Sequence, residues 1–135
     1  MGQNNHNKLE RRVLLVDDYP DYQIQIRRRL VDVGYVVDSA SDGDEAIRMV
    51  LENPGRYGLV LMDTQLPQIQ GPDTAREIRK YYGPEELSIL AHSDQSDENY
   101  LMRLWEGAGQ NGFLKKTDLI GRDAAEKIEP YFRGK

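Results

Sequence analysis

The sequence contains no cysteine, which excludes disulfide bonds, thiol catalysis and thiolate metal sites. Its two histidines are too few for a multi-histidine zinc site. No apolar run approaches the roughly 18–20 residues that span a bilayer, and the polar start of the chain lacks the apolar segment of a signal peptide. The 23 acidic residues exceed the 18 Lys and Arg, so broad contact with nucleic-acid phosphates is not expected. We expect a cytoplasmic protein without membrane or direct nucleic-acid contact, whose chemistry comes from carboxylates, hydroxyls and lysines.

The length of 135 residues fits one domain. The first ten or so residues are rich in Asn and Gln, which is typical of a loose terminal segment. Regular patterning begins directly afterwards. We therefore predict a flexible tail over residues 1–11 and a single domain over residues 12–133.

Short apolar runs alternate with amphipathic segments five times along the chain. The predicted strands are residues 13–16, 35–37, 59–62, 87–91 and 112–115. The predicted helices are residues 21–33, 44–52, 72–82, 97–106 and a last one near 118–132, which Pro130 should end or kink. Such alternation indicates βαβ units, and hence an α/β fold with helices on both sides of a parallel sheet.

Polar side chains follow several of the predicted strands directly. In an open parallel α/β sheet, ligands bind beyond the carboxyl ends of the strands, so these side chains should converge at one edge. They are three carboxylates, one hydroxyl and one ammonium: Asp17, Asp18, Asp63, Ser93 and Lys115 or Lys116. Each alone is ordinary, because Asp and Ser are common turn or cap residues and lysines are usually solvated. Together they predict a shared site.

The chemistry of such a cluster is restricted by its charge. Three neighbouring carboxylates cannot all stay ionised without compensating positive charge, and hard oxygen ligands favour a cation such as Mg²⁺. One carboxylate could then act as a nucleophile toward phosphorus. The cation and the lysine would offset charge on the transferring group, while the hydroxyl donates to one of its oxygens. The pattern thus favours an aspartate that accepts phosphate.

Four segments resemble the receiver domains of two-component response regulators, the phosphoacceptor partners of sensor histidine kinases. They are VLLVDD at 13–18, LVLMDTQLPQIQG at 59–71, ILAHSD at 89–94 and AGQNGFLKK at 108–116. They occur in the family's order, and the resemblance runs from about Arg12 to about Phe132. It implies a flavodoxin-like, doubly wound (βα)5 fold with a five-stranded parallel sheet of order 2-1-3-4-5.

The resemblance also implies a phosphoacceptor and a metal site. Asp63 is the expected phosphorylated residue. The expected ligands of Mg²⁺, or of Mn²⁺ in its place, are Asp17, Asp18, Asp63 and the backbone carbonyl of Gln65.

The remaining implied roles belong to the fourth and fifth strands. Ser93 is expected to contact the phosphoryl group, and Lys116, rather than Lys115, takes the place of the family's lysine. Phe113 takes the aromatic switch position, whose ring moves inward when the hydroxyl shifts toward phosphate. Four features depart from the family. Thr117 stands where proline usually follows the lysine, and Phe113 lacks the hydroxyl of the commoner tyrosine. Gly58 stands where an Asp often precedes the third strand, and Pro130 makes the fifth helix atypical.

The implied function is a phosphorylation-controlled switch rather than an enzyme. The donor would be a sensor histidine kinase or a histidine phosphotransfer protein, with at most self-phosphorylation from small donors and slow self-dephosphorylation. The implied output surface is the fourth helix, fifth strand and fifth helix, which would meet a downstream protein or a second copy of the chain. The chain ends where the fifth helix should end, so we expect a single-domain regulator or one module of a longer protein with fused domains.

Two other functions fit the same fold. A pseudo-receiver would be a constitutive interaction module without phosphorylation; Phe113 and Thr117 favour it, whereas the complete set of acidic, hydroxyl and lysine residues weighs against it. Phosphatases with an aspartate nucleophile resemble DxDxT, but this chain reads Asp63-Thr64-Gln65. The second carboxylate, which would serve as acid–base partner, is missing.

Three other features have simple interpretations. The run Arg27–Arg29 is typical of a solvated helix face in an acidic protein. Trp105 is either an interface anchor or an aromatic residue that packs against the sheet. His92 and Ser93 are neighbours on a strand and should point to opposite faces, so a Ser–His nucleophile is not expected.

Overall fold

The computed structural model describes residues 11–94 and 97–134. The strands are β1 (Arg11–Val16), β2 (Tyr35–Ala40), β3 (Leu59–Asp63), β4 (Ser88–Ser93) and β5 (Gly112–Lys115). The helices are α1 (Pro20–Asp32), α2 (Gly43–Glu52), α3 (Gly71–Arg79), α4 (Glu98–Leu104), α5 (Lys116–Ile120) and α6 (Ala124–Ile128), followed by a 3-10 turn at Glu129–Tyr131. The predicted tail lies outside the described residues except for Arg11, which is the first residue of β1. No helix within these two ranges combines the length and apolar character that a membrane crossing requires.

The five strands form one parallel sheet of order β2-β1-β3-β4-β5. This confirms the predicted doubly wound α/β architecture. Val16 of β1 lies opposite Met62 of β3, and Asp63 of β3 lies opposite His92 of β4. Since the strands are parallel and in this register, the chain leaves β1, β3 and β4 at the same edge, where ligands bind in such sheets.

The central strands are buried on both faces. Val13 and Leu15 pack with α1, α5 and α6, whereas Leu14 and Val16 pack with α2, α3 and the end of α4. Burial on alternating faces explains why β1 and β3 are continuous apolar runs rather than alternating patterns. The first polar residue after each run therefore marks the point where the chain leaves the core.

The last helical segment differs from the prediction of one helix near residues 118–132. Helix α5 begins directly after β5, where the backbone N–H of Lys115 donates to the carboxylate of Asp118 at 3.0 Å. Gly121 is extended and separates α5 from α6. Pro130 lies in the 3-10 turn that follows α6, which confirms that the helix ends before this residue. Thr117 lies within α5, and all peptide bonds of the described residues are trans.

Two apolar residues near helix ends, Val33 and Trp105, have opposite degrees of burial. Val33, the last residue of the predicted first helix, is 55% exposed, because α1 ends at Asp32 and Val33 is its C-cap. Trp105 is fully buried at the end of α4. Of the two interpretations of this tryptophan, packing against the sheet describes its position.

Candidate functional site

Three carboxylates meet at the carboxyl edge of the sheet. Asp17 and Asp18 follow β1, and Asp63 ends β3. One carboxylate oxygen of each lies within 4.8 Å of the other two. Asp17 and Asp63 are buried, while Asp18 is exposed. Hard oxygen ligands that are buried on one side and open on the other are arranged as in a site for a small divalent cation.

Local hydrogen bonds fix the orientation of Asp17. Its backbone N–H donates to the carbonyl of Ala40 at 3.0 Å, and its Oδ1 accepts from the backbone N–H of Tyr19 at 2.9 Å. The side-chain amide of Gln23 donates to the Asp17 carbonyl oxygen. The end of β2 and the start of α1 thus hold this carboxylate in place, and its Oδ2 faces the lysine of the site.

Lys116 supplies the positive charge. Its Nζ lies 2.8 Å from Oδ2 of Asp17 and 3.2 Å from Oδ2 of Asp63. Burial lowers the pKa of Lys116, but the two carboxylates outweigh burial and raise the pKa overall. Lys115 is exposed and makes no ion pair with either carboxylate. The fold therefore brings Lys116, and not its neighbour, into the acidic cluster.

The surroundings of Asp63 disfavour the ionised form of its carboxyl group. Burial and the negative charge of Asp17 raise the pKa of Asp63 to about 7, although Lys116 and the backbone N–H of Gln65 act in the opposite direction. Without a cation, the ionised form of this carboxyl group is therefore disfavoured. A cation bound beside it would favour the ionised form.

A surface cavity of about 420 Å³ opens above the cluster. Its lining residues come from the ends of β1, β3, β4 and β5 and from the start of α1: Asp18, Tyr19, Tyr22, Asp63, Gln65, Ser93, Asp94 and Lys116. Three of these residues, Tyr19, Tyr22 and Asp94, were not among the predicted site residues. The acidic residues were predicted because they follow strand ends, and the same criterion would also have selected Tyr19 and Asp94. Tyr22 lies in a helix and carries no such signal.

The two predicted switch residues lie in different surroundings. Ser93 is buried at the end of β4 and lines the cavity. Phe113 of β5 is 38% exposed and lies outside the cavity lining. Its ring meets that of Trp105 edge to face, with centroids 6.2 Å apart. The ring of Phe113 is thus partly exposed and lies next to the end of α4.

An aromatic stack lies below the lysine. The ring of His92 is buried and stacks on Tyr22, with centroids 5.7 Å apart and planes 19° from parallel. Burial and the charge of Lys116 lower the pKa of His92 to about 3, so this histidine is neutral. Backbone groups of Val16 and Leu61 act in the opposite direction, although neither ring nitrogen of His92 makes a hydrogen bond of good geometry to a described residue. His92 therefore does not activate Ser93, as the strand alternation indicated.

Comparison with known proteins places this geometry in a family. The response regulator receiver domain matches residues 13–121. The chain is 37% identical over 108 residues to the aerobic respiration control sensor protein ArcB of Escherichia coli, which covers 77% of this chain and 13% of ArcB. It is 36% identical over 107 residues to the transcriptional activator protein ExaE of Pseudomonas putida, covering 78% of this chain and 48% of ExaE. The chain thus spans half or less of the length of these relatives.

Solved structures agree with the sequence relatives. The receiver domain of the Pseudomonas aeruginosa sensor histidine kinase PA1611, solved with magnesium in its active-site cleft, has a TM-score of 0.77 and 30% identity, and the match covers 90% of this chain and 97% of that one. The response regulator TrrA of Thermotoga maritima, solved with Mg²⁺ and BeF, also has a TM-score of 0.77, with 28% identity over 90% of this chain and 99% of that one. The chain described here belongs to the response regulator receiver domain family.

Proposed function

We propose that this chain accepts a phosphoryl group from a phosphohistidine donor onto Asp63, with Mg²⁺, and that phosphorylation changes its contacts with other proteins. The observation that carries this proposal is the position of the Lys116 Nζ, 2.8 Å from Asp17 and 3.2 Å from Asp63 within the acidic cluster. One ammonium does not balance the negative charge of three carboxylates. The site can therefore accept one divalent cation and, together with it, one phosphoryl group.

The transfer step uses the carboxylate of Asp63. One of its oxygens forms a bond to phosphorus while the N–P bond of the donor breaks and its electron pair returns to the imidazole nitrogen. Asp17, Asp18, Asp63 and the Gln65 carbonyl would hold Mg²⁺ or Mn²⁺, and the bound ion would offset negative charge on the phosphoryl oxygens. The Lys116 ammonium adds a second positive charge.

Ser93 is the hydroxyl donor of the proposed site. It lines the same cavity as Asp63 and Lys116, and we propose that its hydroxyl donates to a phosphoryl oxygen on Asp63. Gln65 stands where phosphatases with an aspartate nucleophile have a second carboxylate, so a carboxyl phosphate on Asp63 lacks that acid–base partner. Self-dephosphorylation should therefore be slow, and the protein acts as a phosphoacceptor rather than as an enzyme that turns over external phosphoesters.

Phe113 is the proposed moving element of the switch. With 38% of its surface exposed, its ring has apolar area left to bury when Ser93 shifts toward a phosphoryl group. Its movement would change the surface formed by α4, β5, α5 and α6, since the predicted fifth helix is divided into α5 and α6. The proposed readout is the binding of a downstream protein, or of a second copy of the chain, to this surface.

The proposed donor is a sensor histidine kinase or a histidine phosphotransfer protein, and the proposed compartment is the cytoplasm. Segments similar to this chain occur in proteins named as sensors, such as ArcB and EvgS, and in a transcriptional activator, ExaE. Both relationships fit the proposal, since a receiver can meet its donor and its target as fused domains or as separate proteins.

The test is intact mass after incubation with Mg²⁺ and a small acyl phosphate. We expect the wild type to gain one phosphoryl group, the Asp63→Asn variant to gain none, and chelation of the metal to abolish the gain. A folded wild-type protein that gains nothing from the acyl phosphate or from a phosphohistidine donor would overturn the proposal in favour of a constitutive interaction module. A gain that persists in Asp63→Asn would assign the phosphate to another residue.

A further inference from the structure

Tyr22, in the first turn of α1, contacts the lysine of the site in two ways. Its hydroxyl donates to the backbone carbonyl of Lys116 at 3.1 Å. The Lys116 Nζ lies 4.8 Å from the centroid of the Tyr22 ring, within the range of a cation–π contact. A single tyrosine thus contacts both the backbone and the ammonium of Lys116.

The tyrosine is itself held from two sides. It is 7% exposed and packs with Ile26 and Leu30 of the same helix in the core cluster under β1. The buried ring of His92 stacks on it from β4. These contacts leave the ring little freedom to tilt, so it is a rigid platform for the flexible side chain of Lys116.

A platform of this kind matters because a lysine side chain is flexible. Ordering such a side chain costs conformational entropy, which a rigid contact surface reduces. Lys116 is the first residue of α5, and Tyr22 ties this end of α5 to α1. We propose that Tyr22 is a positioning residue that holds the Lys116 ammonium where it meets a phosphoryl group on Asp63.

This inference rests on the proposed function, since it concerns how the lysine serves phosphoryl transfer. It also has a simpler competitor, in which Tyr22 only fills the core. The two differ in one respect: a positioning residue acts on the reaction only through Lys116, whereas a core residue affects the site whether or not the lysine is present. A double-mutant cycle between the two residues separates them.

The experiment measures the rate of phosphorylation by a small acyl phosphate for wild type, Tyr22→Leu, Lys116→Ala and the double variant. We expect Tyr22→Leu to slow the reaction about tenfold in the wild-type background, from loss of the ring and the hydroxyl. In the Lys116→Ala background the same substitution should change the rate by no more than about twofold. A tenfold loss in both backgrounds would show that Tyr22 does not act through the lysine.

A conservative variant and a matched control sharpen this result. Tyr22→Phe keeps the ring and should recover most of the rate, leaving a loss of about threefold from the missing hydroxyl. Tyr57→Phe is the control: Tyr57 is also 7% exposed, and its hydroxyl donates to Asp38 at 2.7 Å near the opposite edge of the sheet. Its rate should equal that of the wild type. An equal loss in both Phe variants would overturn the proposal.

A binding measurement tests the variants that react slowly. The affinity for beryllofluoride with Mg²⁺, measured by calorimetry on the same four proteins, should show the same coupling, and urea unfolding confirms that each is folded. If the wild type neither gains phosphate nor binds beryllofluoride, the proposed function fails. If the wild type does both but the effects of Tyr22 and Lys116 are independent, only the positioning role fails.

Discussion

The indole N–H of Trp105 donates a hydrogen bond of 3.1 Å to the hydroxyl of Thr64, the residue that follows Asp63. The same hydroxyl donates to the backbone carbonyl of His92 at 3.1 Å, and the tryptophan ring meets Phe113 edge to face. A single buried side chain therefore contacts both the end of the strand that carries the proposed phosphoacceptor and the proposed switch residue.

This position makes Trp105 a reporter of the site. It is the only tryptophan in the sequence, so the tryptophan emission of the protein comes from this one residue. We expect its fluorescence to change when Mg²⁺ and beryllofluoride bind, and the change to shrink by about half or more in Thr64→Val, which cannot accept the hydrogen bond. The Mg²⁺ affinity of this variant should stay unchanged, because Thr64 is not one of the carboxylates. Unchanged emission in a wild type that calorimetry shows to be loaded would contradict the prediction.

Gly71, the first residue of α3, leaves no room for a side chain. A Cβ built on it would overlap the backbone carbonyl oxygen of Asp63, and its N–H donates to the Thr64 carbonyl at 2.9 Å. Gly71→Ala must therefore move the backbone that carries Asp63. We expect a loss of about 1–3 kcal/mol in the free energy of unfolding and slower phosphorylation, measured by urea titration and by intact mass.

The control for this prediction is Gly83→Ala. The nearest atom to a Cβ on Gly83 is Oε1 of Glu86 at 3.7 Å, which is an ordinary contact. This variant should phosphorylate at the wild-type rate and match or slightly exceed the wild-type stability. Equal effects of the two substitutions would mean that the close approach at Gly71 does not constrain Asp63.

The fold and the acidic edge could be predicted because their signals are local. A run such as Val13–Val16 is apolar throughout because both of its faces are buried, and it stops at Asp17 where the chain leaves the core. The same holds for the run that stops at Asp63. Since parallel strands end at one edge, the polar residues after them were predicted to converge, and the three carboxylates and Lys116 lie together as expected.

The rest depends on contacts between distant parts of the chain. Tyr22 fits the apolar stripe of α1 with Ile26 and Leu30, so the pattern indicates only a core residue, whereas its hydroxyl partner lies 94 residues away. The sequence did not decide whether Trp105 lies at an interface or in the core, because its hydrogen-bond partner Thr64 is 41 residues away. The helical spacing around Gly121 favoured one helix, although a glycine inside such a pattern is also a signal for a break.

Removing the lysine of the site should strengthen Mg²⁺ binding but slow phosphorylation. Lys116→Ala takes away an ammonium that pairs with Asp17 and Asp63, so the three carboxylates should bind Mg²⁺ several-fold more tightly, as measured by calorimetry. The same variant should phosphorylate about a hundredfold more slowly, because the charge that meets the transferring group is lost. Lys115→Ala, in which an exposed neighbour is removed, should change neither property. A slow Lys115→Ala beside a normal Lys116→Ala would show that the adjacent lysine serves the site.

The ionisation of Asp63 makes the stability of the metal-free protein depend on pH. Its pKa in the folded protein is raised to about 7 by burial and by Asp17, above the ordinary value of about 3.9. The folded state therefore holds this proton more tightly than the unfolded state does. It follows that the free energy of unfolding falls as the pH rises from about 4 through about 7, and that the contribution is fully present only at lower pH.

Asp63→Asn tests this dependence, because an asparagine stays neutral at every pH. In the presence of a chelator the variant should be more stable than the wild type at about pH 8, by a few kcal/mol at most, and the difference should shrink toward about pH 5. Mg²⁺ should stabilise the wild type more than the variant, since the ion binds the native carboxylates. Asp118→Asn should instead be less stable than the wild type at about pH 8. The hydrogen bond from Lys127 lowers the pKa of Asp118, so neutralising this residue removes a favourable interaction at that pH. A difference between wild type and Asp63→Asn that stays constant across this range in urea unfolding would show that Asp63 is ionised throughout, and that the buried cluster accommodates its charge without a cation.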